Sequence, residues 1–366
     1  MFRTYKLKNL NIKLIIGILA LTILGILIIG SADADYQNKQ ILGMILGIIV
    51  MGIVALIDYD FVLQFSRLYY VAVIGLLALV LLVGDSSKGA TRWIAVGIRF
   101  QPSELGKVLL ILFFASYLMR NEDEINNPKF IIQTAILAAI PLALIVKEPD
   151  LSTTIVTFLI IASLMFVTGL SYKLVGIVLG ITIPAIAILL LVIVNKGSSI
   201  LQGYQSLRIL AWLKPEEYPE TAYQQQNSIM AIGSGQFFGK GLYNNSVDSV
   251  KNGNYISEPH TDFIFSVAGE EMGFLGSVLI ILLLLFIVYE CIQTAKVAKD
   301  LSGKLICSGM AALVGFQSFV NICVVTGLFP NTGLPLPFVS YGLTSLVTMY
   351  FGMGFVLNVG LQAKKY

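Results

Sequence analysis

Apolar runs long enough to cross a bilayer follow one another along this chain, joined by short polar connections. A helix needs roughly 20 mostly apolar residues for one crossing. Hydropathy predicts about ten spans, near residues 13–30, 40–57, 69–84, 104–119, 130–147, 152–169, 173–195, 263–290, 305–327 and 340–360. The expected fold is an all-α polytopic membrane protein, one integral membrane domain over residues 1–366, with a large outer loop at 196–262 between the seventh and eighth spans. The first apolar stretch, Leu14 to Gly30, exceeds the about 7–15 residues of a signal-peptide core and reads as a retained span.

Basic residues orient these spans. With the N-terminus inside, the inner segments collect Arg3, Lys6, Lys8, Lys13, Arg67, Arg120, Lys129, Lys173, Lys296, Lys299, Lys304, Lys364 and Lys365. The short outer segments hold far fewer, Lys39, Lys88, Arg92, Arg99 and Lys196, and a very short outer turn carries Lys147 to Asp150. Cytoplasmic loops carry the Lys and Arg excess, and an even span count places both termini in the cytoplasm. Three polar or turn-rich segments, 85–103, 196–262 and 328–339, then face outward. Chemistry is expected at that face.

Composition excludes several classes. Hydrophobic residues make up 57% of the chain and charged ones 12%, with a net charge of +3 and no sign of nucleic-acid binding. Cys291, Cys307 and Cys323 fall in or beside apolar runs and read as buried thiols, not a disulfide framework. The glycine-rich stretch Gln224–Leu242 has Ser234 where a P-loop needs glycine and Gly241 where it needs Ser or Thr. A turn with close backbone approach is the better account.

The densest polar cluster is Ser257–Gly273, which holds the only histidine, His260, with Glu258, Asp262, Glu270 and Glu271. Carboxylates at the entry to an apolar span are costly unless paired or used. On one straight helix Glu271 lies opposite Asp262, so the acidic pair Glu270 and Glu271 is expected to be structural. Asp262, flanked by His260 and Thr261 as hydrogen-bonding supports, suits a general base. An N-cap at Thr261 or Asp262 suits the same residues.

Asp150 opens the sixth span beside Lys147 and Glu148, as a cap or as a cavity lining. In 85–103, Trp93 with Arg92 and Arg99 fits a headgroup layer. Pro102 suits the first turn of the next helix, where Glu104 and Lys107 stand at i,i+3 and can pair. Ser198–Leu213 reads as an amphipathic helix on the outer surface. Gly327–Gly342, with Pro330, Pro335 and Pro337, cannot continue a helix and must fold back on protein.

Five ordered blocks bring these features together: GATRWIAVGIRFQPSELGK (89–107), EPDLSTT (148–154), QNSIMAIGSGQFFGKGL (226–242), EPHTDFIFSVAGEEMGFLG (258–276) and GLFPNTGLPLPFVSYG (327–342). Over its whole length the chain resembles the SEDS (shape, elongation, division and sporulation) family, most closely its rod-elongation branch. It departs from the family at Ser152 and Leu343, where glycine is common, and in the order Ser257-Glu258-Pro259-His260.

The resemblance implies a peptidoglycan glycosyltransferase that polymerises lipid II at the outer face of the bacterial cytoplasmic membrane, for elongation and rod shape. A division or sporulation role is the alternative. It implies Asp262 as the essential carboxylate, and Arg92, Gln101, Glu104, Lys107 and Asp150 as cavity-lining residues. The implied partners are lipid II and polyprenyl-linked glycan, a class B penicillin-binding protein as transpeptidase, and other elongation-complex proteins.

Such a reaction releases polyprenyl pyrophosphate, whose charge calls for cations. Arg92 is the first candidate, Lys107 or Arg99 the second, and a divalent ion (Mg or Mn) a possible third. A lipid II flippase and a non-catalytic scaffold are the rival readings. A flippase calls for polar sites on both membrane faces, a scaffold for a docking surface on the outer loop.

Overall fold

The computed structural model describes residues 5, 7–87, 90–96, 98–196, 203–244, 249, 253 and 255–363. Among these residues thirteen α-helices run in order: α1 Ile12–Ala32, α2 Ala34–Leu56, the short α3 Tyr59–Leu63, α4 Ser66–Val83, α5 Pro102–Arg120, α6 Pro128–Lys147, α7 Leu151–Thr168, α8 Tyr172–Lys196, α9 Gly203–Leu213, α10 Pro219–Ser234, α11 Ile264–Lys296, α12 Leu301–Val325 and α13 Leu343–Leu361. Among the described residues nine of these are long and apolar enough to cross a membrane. α8, in the place of the predicted seventh span, adds 25 more helical residues.

Burial sorts the helices. α5, α12 and α13 bury most of their residues, whereas α4 and α6 bury few. On α6 the exposed Ile132, Ile136 and Ile140 repeat every fourth residue, a stripe along one face. In a soluble protein such a stripe would need a partner; here it meets lipid. Small residues set the close contacts inside. A Cβ at Gly47 of α2 would lie 2.5 Å from the Tyr350 ring of α13, and one at Gly354 of α13 would lie 2.7 Å from Val54 of α2. Glycine at such places lets the two helices approach where no hydrophobic effect drives them together.

Two features depart from the sequence expectation. The segment 85–103 is not an irregular loop: β1 Asp85–Ser87, β2 Ala90–Val96 and β3 Ile98–Phe100 form a small antiparallel sheet in that order. Thr91, Trp93, Ile94 and Val96 are β-branched or aromatic and favour a pleated ribbon, a preference that hydropathy does not weigh. Among the described residues the fold is therefore helical in its spans with one β ribbon.

The second departure is α11, which is not straight. Gly273 breaks it with φ 64° and ψ −158°, a backbone that glycine adopts without a Cβ penalty.

The glycine-rich segment after α10 splices this break. The Lys240 and Gly241 amides donate to the Glu270 and Glu271 carbonyls at 3.0 and 2.9 Å, while the Phe274 and Leu275 amides donate to the Gln236 and Phe237 carbonyls at 2.8 and 3.3 Å. Four backbone groups freed by the kink thus find partners, as a buried backbone requires. Close approach demands glycine here. A Cβ at Gly235 would stand 1.9 Å from the Gly269 carbonyl oxygen.

Gly235→Ala should therefore destabilise the protein by about 1–3 kcal/mol, the usual cost of overpacking. Gly52→Ala, where a Cβ on α2 would meet nothing within 4 Å, should leave stability unchanged or raise it. Thermal melts of the detergent-purified variants compare the two.

Candidate active site

The ribbon, the α6–α7 turn and the start of α5 build one wall of the site. Arg92 extends from β2 to the turn between α6 and α7. Its Nε donates to the Glu148 carbonyl at 3.4 Å and its Nη2 to the Pro149 carbonyl, and Nε lies 3.8 Å from Asp150 Oδ2. Asp150 is buried, and its Oδ1 accepts the Thr153 amide at 3.1 Å as the N-cap of α7. Its Oδ2 accepts from Gln101 Nε2 at 3.4 Å. Cap and wall are therefore one residue, whose two oxygens are divided between the two tasks.

Glu148 sits in the same turn, fully buried, and neither carboxyl oxygen has a hydrogen-bond partner among the described residues. Burial, reinforced by Asp150 and opposed by Arg92, pushes its carboxyl up to about 8.

The opposite wall is the turn that leads into α11. The Tyr341 amide donates to the His260 carbonyl at 2.9 Å, Ser340 Oγ to the Thr261 carbonyl at 2.8 Å, and Asn321 Nδ2 to the Asp262 carbonyl at 2.8 Å. Three successive carbonyls are thereby held by α12 and the 327–342 loop. Phe263 is the N-cap of α11, with no side-chain capping bond, so neither Thr261 nor Asp262 caps the helix.

His260 and Thr261 support the turn in an unexpected manner. The His260 ring stacks on Tyr36 at 4.1 Å between centroids, with its Nδ1 4.0 Å from Asp33 Oδ2. The Thr261 hydroxyl donates to the Glu258 carbonyl at 2.9 Å. Both residues anchor the backbone.

The two walls meet at Gly333. A Cβ built there would lie 3.2 Å from Asp262 Oδ2 and 3.7 Å from Arg92 Nη1, so the carboxylate and the guanidinium both reach the same glycine. Its φ of 71° also favours glycine over any L side chain. Arg92, Gln101 and Asp150 thus share one site with Asp262. Arg99 lies on β3 in register with Ala95, and its side chain falls outside the described residues.

Glu104 and Lys107 form a separate brace. Lys107 Nζ donates to Glu104 Oε1 and to Gln317 Oε1, each at 2.6 Å. Ser345 Oγ donates to Glu104 Oε2 at 3.2 Å, and Gln317 Nε2 to the Pro335 carbonyl at 2.9 Å. The ammonium, 1% exposed, is committed to a network joining α5, α12, α13 and the 327–342 loop. The acidic pair on α11 likewise points elsewhere. Glu270 accepts from Lys240 at 2.8 Å, and Glu271 accepts from Ser31 at 2.6 Å.

Several residues that matter here were not singled out from the sequence: Asn321, Gln317, Gly333 and Arg208 of α9. Asn321 and Gln317 carried a signal, since polar side chains within an apolar span call for a partner. Among the described residues no three His, Cys, Asp or Glu side chains come together to hold a metal ion.

Comparison with known proteins shows the family. The family model described as cell cycle protein, FtsW/RodA/SpoVE, matches residues 9–365. The "Probable peptidoglycan glycosyltransferase FtsW" of Geobacter sulfurreducens is 32% identical over 376 residues, covering 98% of this chain and 97% of the relative. Its counterpart in Escherichia coli O6:H1 is 33% identical over 328 residues, covering 88% of this chain and 76% of the relative.

Among solved structures, a chain described under "Structural coordination of polymerization and crosslinking by a peptidoglycan synthase complex" is similar at TM-score 0.79 and 28% identity, covering 98% of both chains. The rod shape determining protein RodA of Thermus thermophilus is similar at TM-score 0.70 and 27% identity, covering 100% of this chain and 99% of that one.

The Glu148 carboxyl yields a pH prediction. Its folded value of about 8 lies above the ordinary 4.5, so the folded chain holds a proton that the unfolded chain releases. Its penalty on stability is absent below 4.5 and grows as pH rises from 4.5 to about 8. Melting temperature should fall across that window, and Glu148→Gln should flatten the fall. Thermal melts at pH 5 and pH 8 measure it.

Proposed function

The chain belongs to the SEDS (FtsW/RodA/SpoVE) cell cycle family, and on that premise we propose that it polymerises lipid II, with Asp262 as general base and Arg92 at the donor diphosphate. It is a peptidoglycan glycosyltransferase and a multi-pass membrane protein. The observation that carries the finer reading is the convergence of Asp262 and Arg92 on Gly333.

Asp262 takes the proton from the 4-hydroxyl of an acceptor N-acetylglucosamine. That oxygen attacks the anomeric carbon of the donor N-acetylmuramic acid, the bond to the diphosphate breaks, and configuration inverts. The electron pair leaves on polyprenyl diphosphate, which needs no general acid. Arg92 is oriented by the Glu148 and Pro149 carbonyls, so its guanidinium is set in place before the charge develops. Lys107 is engaged by Glu104 and Gln317 and braces the floor instead.

The distribution of Lys and Arg supports a site on the outer face of the cytoplasmic membrane. The likeness to a chain of a peptidoglycan synthase complex supports a penicillin-binding protein as partner. A flippase is the second reading, favoured by one observation: a cavity of 610 Å³ lined by Lys8, Asn11, Lys13 and Glu290 lies at the far end of α11 from Asp262.

The cellular role has two supports that diverge. The likeness to RodA favours elongation, while the names of the curated relatives favour division. Depleting an elongation enzyme from the source cell should give rounded cells; depleting a division enzyme should give filaments. Phase-contrast microscopy of a depletion strain distinguishes the two.

For the chemistry, purified protein in liposomes with labelled lipid II should form glycan chains, alone or with its partner. Asp262→Asn should cut the rate by about a hundredfold or more with an unchanged melting temperature. Normal polymerisation by that variant sinks the assignment, and lipid II crossing the bilayer without any glycan product favours the flippase.

A further inference from the structure

A small half-open cavity lies beside the site, between the α6–α7 turn, α9 and the 327–342 loop. Two guanidinium groups line it, Arg92 from β2 and Arg208 from α9, together with the neutral Gln205, Asn331 and Thr332. Among the described residues that line it, none is a carboxylate. Two guanidinium groups on one cavity favour an anionic oxygen at its mouth. The Thr332 hydroxyl is buried and has no hydrogen-bond partner among the described residues, which leaves one donor for an incoming group.

α9 is held where Arg208 can act. Ile209 and Leu210 are buried in a small cluster with Ile193. Trp212 Nε1 donates to the Gly327 carbonyl at 2.8 Å, and Arg208 Nη1 to the Asn331 carbonyl at 3.2 Å. The helix is thus tied at two points to the loop that carries Gly333. Arg92 completes the connection, since it lines the cavity and also reaches toward Gly333, where Asp262 approaches.

We infer that Arg208 is a second anion-binding residue of the site, forming with Arg92 and Thr332 a clamp for the diphosphate of a polyprenyl-linked substrate or product. The cavity measures about 20 Å³, room for a single oxygen-sized group, so the diphosphate inserts one oxygen between the guanidinium groups and keeps the rest at the mouth. Arginine suits this task because its planar fork matches phosphate oxygens. The inference rests on the lipid II reading, which supplies the diphosphate. It assigns to the outer helix α9 a direct part in substrate recognition.

The test measures binding separately from turnover. Detergent-purified full-length protein is titrated with fluorescent farnesyl diphosphate, farnesyl monophosphate and farnesol, and then with phosphatidylglycerol vesicles. Arg208→Ala should weaken the diphosphate about tenfold or more, Arg208→Lys should fall between, and farnesol should bind wild type and variant alike. Lipid II polymerisation by Arg208→Ala should show a matching rise in KM, and inhibition by polyprenyl diphosphate should weaken in parallel.

Equal diphosphate affinity in wild type and Arg208→Ala overturns the inference. So does a loss seen only with phosphatidylglycerol, which would make Arg208 a headgroup anchor. A variant that melts early is judged by the lysine variant, which keeps the charge. If wild type binds diphosphate through Arg208 but makes no glycan, the polymerase reading fails and the clamp stands.

Discussion

The backbone of the turn at His260, Thr261 and Asp262 is the constraint from which the site follows. Its successive carbonyls are taken by Tyr341, Ser340 and Asn321, residues that come much later in the chain. A buried acceptor without a partner is costly. The turn therefore cannot rotate or slide without breaking several bonds at once. Asn321 also donates to the Leu334 carbonyl at 2.6 Å, so a single amide ties the carboxylate's turn to the loop that carries Gly333. Asp262 thus inherits its position from the backbone of its neighbours.

The charges follow a consistent logic around that fixed point. Arg92 is oriented largely by carbonyl oxygens, which steer a guanidinium without cancelling its charge. Asp150 compensates part of that charge from 3.8 Å while capping α7. Glu148, pushed up to about 8, is mostly neutral at physiological pH and does not compete with a negatively charged substrate. Lys107 is different: two oxygens at 2.6 Å enclose its ammonium, and it serves to join helices. Arg92 and Arg208 line one cavity.

Much of this was legible in the chain. Hydropathy places the spanning helices, because a bilayer demands long apolar runs and punishes anything else. Pro102 at the first turn of α5 and the polar cluster at Asp262 are equally local signals. What stayed hidden depends on contacts between distant segments. A helical wheel drawn through Asp262 treats the stretch as one helix, yet the residue lies in the turn before α11, and the helix itself breaks at Gly273.

Other features were visible in type but not in use. The glycines of 235–241 announced close backbone approach, but not that they would splice a broken span. Gly333 is one glycine among 33, distinguished only by what stands on either side of it in space. The ribbon at 85–100 escaped because its strands are short and their propensity is easily masked by surrounding apolar runs.

The central claim is that Asp262 and Arg92 face the two ends of one reacting pair across Gly333. A cryo-EM structure of the full chain with a non-hydrolysable lipid II analogue tests it most directly. The account predicts the donor diphosphate within hydrogen-bonding distance of Arg92 and an acceptor sugar with its 4-hydroxyl facing the Asp262 carboxylate. An analogue whose diphosphate lies away from Arg92, or whose sugar never approaches Asp262, would contradict it.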